Sequence, residues 1–521
     1  MLKNDFFYSQ GTRVPLTKAK NVIAVKESAE NEHTGRTEFM TTDRKAILVI
    51  PQYGIGIYED GASRRNFTAD NTVSDELPIF EQTAGDYMIA TREFHTKFKP
   101  EVTESQINEM NQQFGVKIVE KLPYDDHLYR LEIIPGENKL GVVETANAYY
   151  ESGETIESEP NFIRKKHVRD TTSNVILAEQ ANVTERSGSD YLPEQWHLVH
   201  TKVIDAWENA KGTGVTICIM DDGVETSHPE FQNRIVKQRD YSDPNLPNDG
   251  NPNLASDNHG TSVAGVAAAA GVKAYGAAPA SQIIAIRSPD YLGVDAEAKM
   301  FDWAVSEGAD VINCSWGPPD TSNPNTDWEY PLPLLVRAAI HNAATRGRNG
   351  KGVIICWAAG NGNQSMSTDQ YAANPDVLAI AACTDSGERS SYSDFGNEVW
   401  ISAPSNGGRR GILTTDRSGN KGYNQGTSSN DLQDSNYTGR FGGTSSASPL
   451  VAGIVGLMLS ANSALTLQDV KGILARTADK IGDPVSYARE TALGRHSDLY
   501  GYGRVNALNA VKEAKRLGSG I

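Results

Sequence analysis

The sequence predicts an α/β fold. A doubly wound, mostly parallel sheet fills about residues 191–521, and an α+β ferredoxin-like domain precedes it over 85–162. Three observations predict this. Over the C-terminal part, short apolar runs without in–out alternation are interleaved with helical patterns, as strands covered on both faces require. Over 85–161 the patterns run strand, helix, strand, strand, helix, strand, the ferredoxin-like order. Asp221, His259, Asn361 and Ser445 each stand at an expected element end among small residues and glycines, where an open parallel sheet gathers reactive groups.

Taken in order, residues 1–84 are strand-rich and punctuated by glycine, with Ala46–Pro51 and Ile55–Tyr58 as expected strands and no assignable fold. Tyr87–Phe98 reads as a strand. Thr103–Phe114 reads as a helix, because Thr103 and Gln106 form a capping-box pair and Ile107, Met110 and Phe114 recur at helical spacing. Strands follow at Val116–Leu122 and Leu128–Ile134, a helix at Leu140–Tyr150 and a strand at Thr155–Glu159. Residues 163–190 open with the basic run Arg164-Lys165-Lys166-His167-Val168-Arg169 and continue in Thr, Ser, Asn and Gly, which suits an exposed linker. The sharper reading of the basic run is a proteolytic processing site.

In the C-terminal domain, strands are expected at Val215–Met220, Gln282–Arg287, Asp310–Cys314, Val353–Ala358 and Val377–Ala382. Helices are expected at Ser262–Ala270, Asp295–Ser306, Leu334–Thr345, Ala447–Ser460, Leu467–Thr477 and Val505–Lys515.

Composition narrows the class. A chain of 521 residues is expected to hold two or three domains, and 38% hydrophobic content is ample for a core. A net charge of −17 argues against nucleic acid or an anionic membrane as partner and suits recruitment of basic substrates. The four cysteines Cys218, Cys314, Cys356 and Cys383 each lie in an apolar run, so they read as small buried hydrophobes. The N-terminus lacks the apolar core of a secretion signal and no run approaches a membrane span. A cytoplasmic location is therefore expected, with non-standard export as the alternative.

The four singled-out residues compose a reaction. A weak alcohol nucleophile needs a base, the base an orienting carboxylate, and the developing oxyanion its donors. Ser445 is the expected nucleophile, His259 the base and Asp221 its orienting partner. The Asn361 amide and the Ser445 backbone N–H are the expected oxyanion donors. Each string alone is a common turn or loop; the four together, in order, point to a serine hydrolase. A catalytically silent binding protein and an esterase or acyltransferase are the alternatives.

At these residues the chain resembles the subtilisin-like serine proteases, whose Asp, His, Ser order it shares. The resemblance covers most of 190–517, from Glu194-Gln195-Trp196-His197-Leu198 to Tyr500-Gly501-Tyr502-Gly503-Arg504-Val505. Asp221-Asp222 and Ser315-Trp316-Gly317-Pro318 resemble the kexin/furin-like branch, without that branch's companion β-sandwich. The resemblance implies an endopeptidase made as a zymogen. Residues 85–162 would be a propeptide that acts as chaperone and inhibitor, 1–84 an added part of it, and 163–190 the processing segment, cut between Arg164 and Arg186.

It also implies acidic pockets. Asp320 and Asp369 match carboxylates of the branch's primary specificity pocket, and Asp222 and Asp257 those facing the next residue of the substrate. With Ser315, Trp316 and Gly317 as the pairing edge, cleavage after Arg or Lys of protein or peptide substrates is expected. Calcium is the expected cofactor. Asp240, Asp243, Asn245 and Asp249 offer clustered oxygen ligands that resemble a calcium loop of the branch. Asp394, beside Asp320, matches a calcium carboxylate near the pocket. The loop after the histidine helix is shortened to Ala269-Ala270-Gly271-Val272-Lys273, with Asp190 and Glu230 at hand.

Overall fold

The strand Thr216–Asp221 is fully buried along its length, and its neighbours explain why it shows no alternation. In the computed structural model it lies inside a seven-stranded sheet in which every described pairing is parallel. The strand order is Ile235–Asp240, Gln282–Arg287, Thr216–Asp221, Val311–Cys314, Ile354–Ala358, Leu378–Cys383, Val399–Pro404. The structure describes residues 6–26, 46–59, 75–83, 85–171, 190–242, 249–320, 331–427 and 431–518.

Alternate residues of each strand serve two cores. Ile217 and Ile219 face a cluster with Val263, Leu450 and Ile454. Cys218 and Met220 face another with Phe301, Leu335 and Trp357. Both sheet faces are thus sealed by helices, the condition under which a strand reads as a plain apolar run. The four cysteines are buried free thiols in these strands, and burial pushes each thiol pKa up.

The five expected strands are present within two residues of their expected ends. Two more flank them. Ile235–Asp240 is a half-solvated edge strand with little apolar signal, and Val399–Pro404 is a short run closed by a proline. The helices form at His259–Ala268, Val294–Ser306, Leu334–Gly350, Thr444–Ala461, Leu467–Thr477 and Ala507–Gly518. Thr444–Ala461 is long and apolar enough to cross a membrane, which the sequence reading had denied for any run; here it is the buried centre of the fold.

The ferredoxin-like order also forms. Strands Asp86–Phe98, Val116–Lys121, Leu128–Ile133 and Thr155–Lys165 alternate with helices Glu104–Phe114 and Val142–Glu151. The capping box of Thr103 and Gln106 closes as expected. The sheet places the last strand beside the first, and the three described pairings of the first strand, the third with Ile79–Thr83, are antiparallel. The last strand runs six residues past its expected end. It leaves its own domain and pairs antiparallel with Tyr291–Gly293, matching Ile163 with Gly293 and Lys165 with Tyr291.

The expectation of an exposed linker therefore fails for residues 163–171. Arg164 and Arg169 are buried, and the segment lies against the C-terminal domain. Residues 172–189, the rest of the expected processing range, lie outside the described residues. Of the extension, Val22–Lys26, Leu48–Ile50, Ile55–Glu59 and Asp75–Leu77 make an antiparallel sheet. Its apolar side joins Ile89, Ile163 and Tyr291 in one cluster, tying together all three parts of the chain.

Candidate active site

Asp221 ends the central strand at the point where the strand order reverses, so its side chain meets the crevice outside the carboxyl edge of the sheet. Asp222 holds the next element in place. Its two carboxylate oxygens accept from the backbone N–H groups of His259 at 3.0 Å and Gly260 at 2.7 Å, the orphan donors of the histidine helix. A Cβ on Gly260 would stand 2.4 Å from the Gly223 carbonyl, so only glycine lets strand and helix approach this closely. His259 Nδ1 then meets Asp221 Oδ1 at 2.7 Å.

Burial opposes a charged imidazole here. The charge and hydrogen bond of Asp221 outweigh it and lift His259 to about 9. Its Nε2 has no hydrogen-bond partner. Burial and the Asp221 charge together push the Asp222 carboxyl up.

Ser445 sits in the first turn of the Thr444–Ala461 helix, where backbone N–H groups lack helical partners. Its hydroxyl donates to the Ser315 carbonyl at 3.0 Å. Its backbone N–H donates to the Arg169 carbonyl, also at 3.0 Å. Asn361 uses its side-chain oxygen on the N–H of Thr444 at 2.9 Å and its hydroxyl at 3.0 Å, which leaves the amide NH2 as the end able to donate. The charge of Asp170, the residue after Arg169, reaches His259. Ser445 thus faces the carbonyl of one peptide bond, Arg169–Asp170.

The segment before that bond is bound as an added strand. His167 and Val168 pair with Gly317 and Trp316, and the Arg169 N–H donates to the Ser315 carbonyl at 3.0 Å. Ser315, Trp316 and Gly317, named from sequence as substrate-binding residues, form the edge that pairs with this segment. The Arg169 guanidinium is buried and donates to the Ala358 carbonyl and to Asp369. Burial opposes its charge, but Asp369 and Asp320 outweigh it and raise its pKa. A Cβ on Gly317 would overlap the guanidinium.

Two further basic side chains enter pockets that sequence reasoning missed. Lys166 Nζ meets Ser288 and lies 4.0 Å from the Trp316 ring centroid; burial lowers it to about 8 against the pull of Glu297. Arg164 donates to the Tyr371 hydroxyl at 2.9 Å and the Pro331 carbonyl at 3.2 Å. Only the alternation of the basic run itself hinted at these pockets.

Several expected roles need correction. Asp222 and Asp257, expected to face the residue before the scissile bond, are held by other partners. Asp222 caps the histidine helix, and Asp257 Oδ2 is held by Arg287 Nη2 at 2.6 Å. The residue before Arg169, Val168, is 45% exposed. The two described members of the expected calcium loop, Asp240 and Asp249, have partners of their own. Arg287 Nη1 lies 3.2 Å from both oxygens of Asp240, so a guanidinium already neutralises it. Asp249 spends one oxygen on the N–H and amide of Asn251 in a local turn. Asp243 and Asn245 lie outside the described residues.

Asp320 and Asp394 do come together. Burial pushes both carboxyls up, and the Asp320 charge pushes Asp394 further. Asp320 accepts from Asn361 N–H at 3.2 Å and Asp394 from Gln364 N–H at 2.9 Å. Both oxygens of Glu230 are taken up by the shortened loop, accepting from the N–H groups of Gly271, Val272, Lys273 and Ala274 at 2.7–2.9 Å. That loop turns donors inward, the wrong polarity for a cation.

Residues 212–503 match the subtilase family. A calcium-dependent protease of a Nostoc species is 40% identical over 451 residues, covering 82% of this chain and 64% of the relative. The chain thus spans less than two thirds of that relative's length. Furin-like protease 1 of Drosophila melanogaster is 30% identical over 378 residues, covering 69% of this chain and 32% of the relative. Among solved structures, fervidolysin from Fervidobacterium pennivorans shares the fold at a TM-score of 0.59 and 20% identity, covering 83% of this chain and 62% of that one.

Proposed function

The chain belongs to the subtilase family, and from that premise we propose that it is a serine endopeptidase made as a self-inhibited precursor that cuts after arginine, its first substrate being its own Arg169–Asp170 bond. One observation carries this reading. Arg169 presents its carbonyl to the Ser445 N–H while its side chain sits on Asp369. Residues 85–162 then act as the propeptide, with 6–83 as an added part and 163–169 as the tail in the cleft.

In the reaction the Ser445 hydroxyl turns from the Ser315 carbonyl to attack the Arg169 carbonyl carbon. His259 Nε2 takes the hydroxyl proton, and Asp221 stabilises the imidazolium. The Asn361 amide and the Ser445 N–H receive the oxyanion. As the C–N bond breaks, the imidazolium gives its proton to the amine of Asp170. Water, deprotonated by the same histidine, then hydrolyses the ester on Ser445.

Asp320 and Asp394 fit a calcium ion. A buried Asp394 and an exposed Asp320 that both face Gly360 suit a hard divalent cation, with neutral oxygens completing the shell. The ion would supply positive charge that keeps both ionised beside the arginine pocket. Among the described residues no three His, Cys, Asp or Glu side chains converge on one such point.

A serine-directed phosphonylating reagent tests the activity. Processed chain is expected to be labelled and inactivated, and Ser445→Ala chain to be neither labelled nor cut. Cleavage of arginyl peptides by the Ser445→Ala chain would overturn the reading.

A further inference from the structure

We propose that the cleft carries a subsite for a hydroxyl side chain two residues after the scissile bond, built from Asn406 and Tyr392. The proposal rests on reading 164–171 as a bound substrate, and it extends that reading to the side of the bond that leaves first. There Thr171 enters a buried polar pocket. Its hydroxyl donates to Asn406 Oδ1 at 3.0 Å, the same oxygen that the Tyr392 hydroxyl reaches at 2.7 Å.

The lining residues of the pocket also bond one another. Asn406 is 1% exposed, and Ser390 and Ser405 are fully buried. Ser390 Oγ donates to the Asn406 carbonyl at 2.6 Å and Ser405 Oγ to the Gly443 carbonyl at 2.7 Å. The Tyr392 hydroxyl lies 2.7 Å from Ser405 Oγ and 2.7 Å from Asn406 Oδ1. A small side chain that donates and accepts at once completes this chain of bonds, and serine and threonine are such side chains. Valine has the shape of threonine but would bury polar atoms without returning a bond.

The same asparagine reaches the reacting centre. Asn406 Oδ1 accepts from the Gly443 N–H at 3.2 Å. A Cβ on Gly443 would stand 2.2 Å from the Arg169 carbonyl oxygen. The group that reads residue 171 therefore also anchors the backbone beneath the scissile peptide. The substrate class is a peptide with arginine before the cut and serine or threonine two residues after it.

The test uses the full chain with Thr171→Val and Thr171→Ser. Self-cleavage is expected to slow about three- to tenfold for valine, the size of one net hydrogen bond, and to stay within about twofold for serine. Equal rates for valine and threonine, or equal slowing for both substitutions, would overturn the subsite. Each substitution is also placed in the Ser445→Ala chain, and hydrogen exchange is followed over 166–171. Valine is expected to raise exchange there and serine to leave it unchanged; no difference overturns the subsite. This arm needs no cleavage, so a chain that never cuts itself would refute the zymogen reading while the subsite is still decided.

Discussion

The backbone N–H of Ser445 donates to the carbonyl oxygen of Arg169 at 3.0 Å. A helix-opening N–H aimed at a carbonyl is the arrangement that receives an oxyanion, and here the carbonyl belongs to the chain's own tail. The first consequence is a defined cut. N-terminal sequencing of the mature chain is expected to begin at Asp170, and Ser445→Ala chain is expected to remain whole. Arg169→Leu removes the partner of Asp369 and leaves that carboxylate buried and unpaired, so self-cleavage is expected to fall at least 100-fold. An intact N-terminus beginning elsewhere within 164–186 would refute the assignment of the bond.

The pH profile follows from His259. Its pKa of about 9 means that the imidazole is mostly protonated at neutral pH, and only the neutral form accepts a proton from Ser445. Self-cleavage of the precursor is expected to rise about tenfold per pH unit from pH 6 and to level near pH 9. The stability term has the opposite sign. Because the folded-state pKa lies above the ordinary histidine value, the Asp221–His259 ion pair stabilises fully below about pH 6.5. It is lost as pH rises through about 9. A rate independent of pH across this window would show that another step limits cleavage.

Much of this site was legible because its four reacting residues stand at element ends marked by small residues and glycine. Sequence could not tell what a carboxylate faces. Asp222 and Asp257 look like substrate-facing acids in the chain, but the partners that claim them, the N–H groups of His259 and Gly260 and the Arg287 guanidinium, lie 30 or more residues away. The basic run was misread as linker for a related reason. Charge suggests solvent, yet Arg164, Lys166 and Arg169 enter pockets made by distant loops. The strand Ile235–Asp240 escaped notice because a sheet edge needs little apolar sequence.

Calcium is expected to act through Asp320 and Asp394. Chelation should lower both the thermal midpoint and the cleavage rate of wild-type chain. Asp394→Asn should blunt both responses, because it removes one of the two carboxylates. Saturating a site about 100-fold above its Kd stabilises by about 2.7 kcal/mol, a shift that calorimetry resolves. If chelation leaves the midpoint of the wild-type chain unmoved, the calcium assignment fails.

Glu230 does without a cation what a cation does elsewhere: it organises the loop after the histidine helix by charge. Its oxygens, on a fully buried side chain, accept four backbone N–H groups and the Tyr437 hydroxyl. Glu230→Gln would turn an NH2 group toward two of these donors. Orphaning two buried N–H groups costs about 2–6 kcal/mol, which is expected as a lower denaturant midpoint. Added calcium should not restore it, since the loop offers donors rather than oxygens.

The extension should slow release of the propeptide after the cut. The Tyr53 hydroxyl accepts from the Gly293 N–H at 2.7 Å, and Gln52 Nε2 donates to the Tyr291 carbonyl at 2.8 Å. Tyr291–Gly293 is the strand that pairs with 163–165, so the extension grips the wall of the cleft from behind the tail. Tyr53 is half-buried, and Tyr53→Phe deletes the acceptor while keeping the ring. One net hydrogen bond of about 0.5–1.5 kcal/mol then separates the variant from wild type. The N-terminal fragment of cut Tyr53→Phe chain is expected to leave up to about tenfold more readily, measured as recovery of peptidase activity after cleavage. The cut itself, which depends on Arg169 and Ser445, is expected to proceed at the wild-type rate. If activity recovers at the wild-type rate, the extension contributes nothing to inhibition.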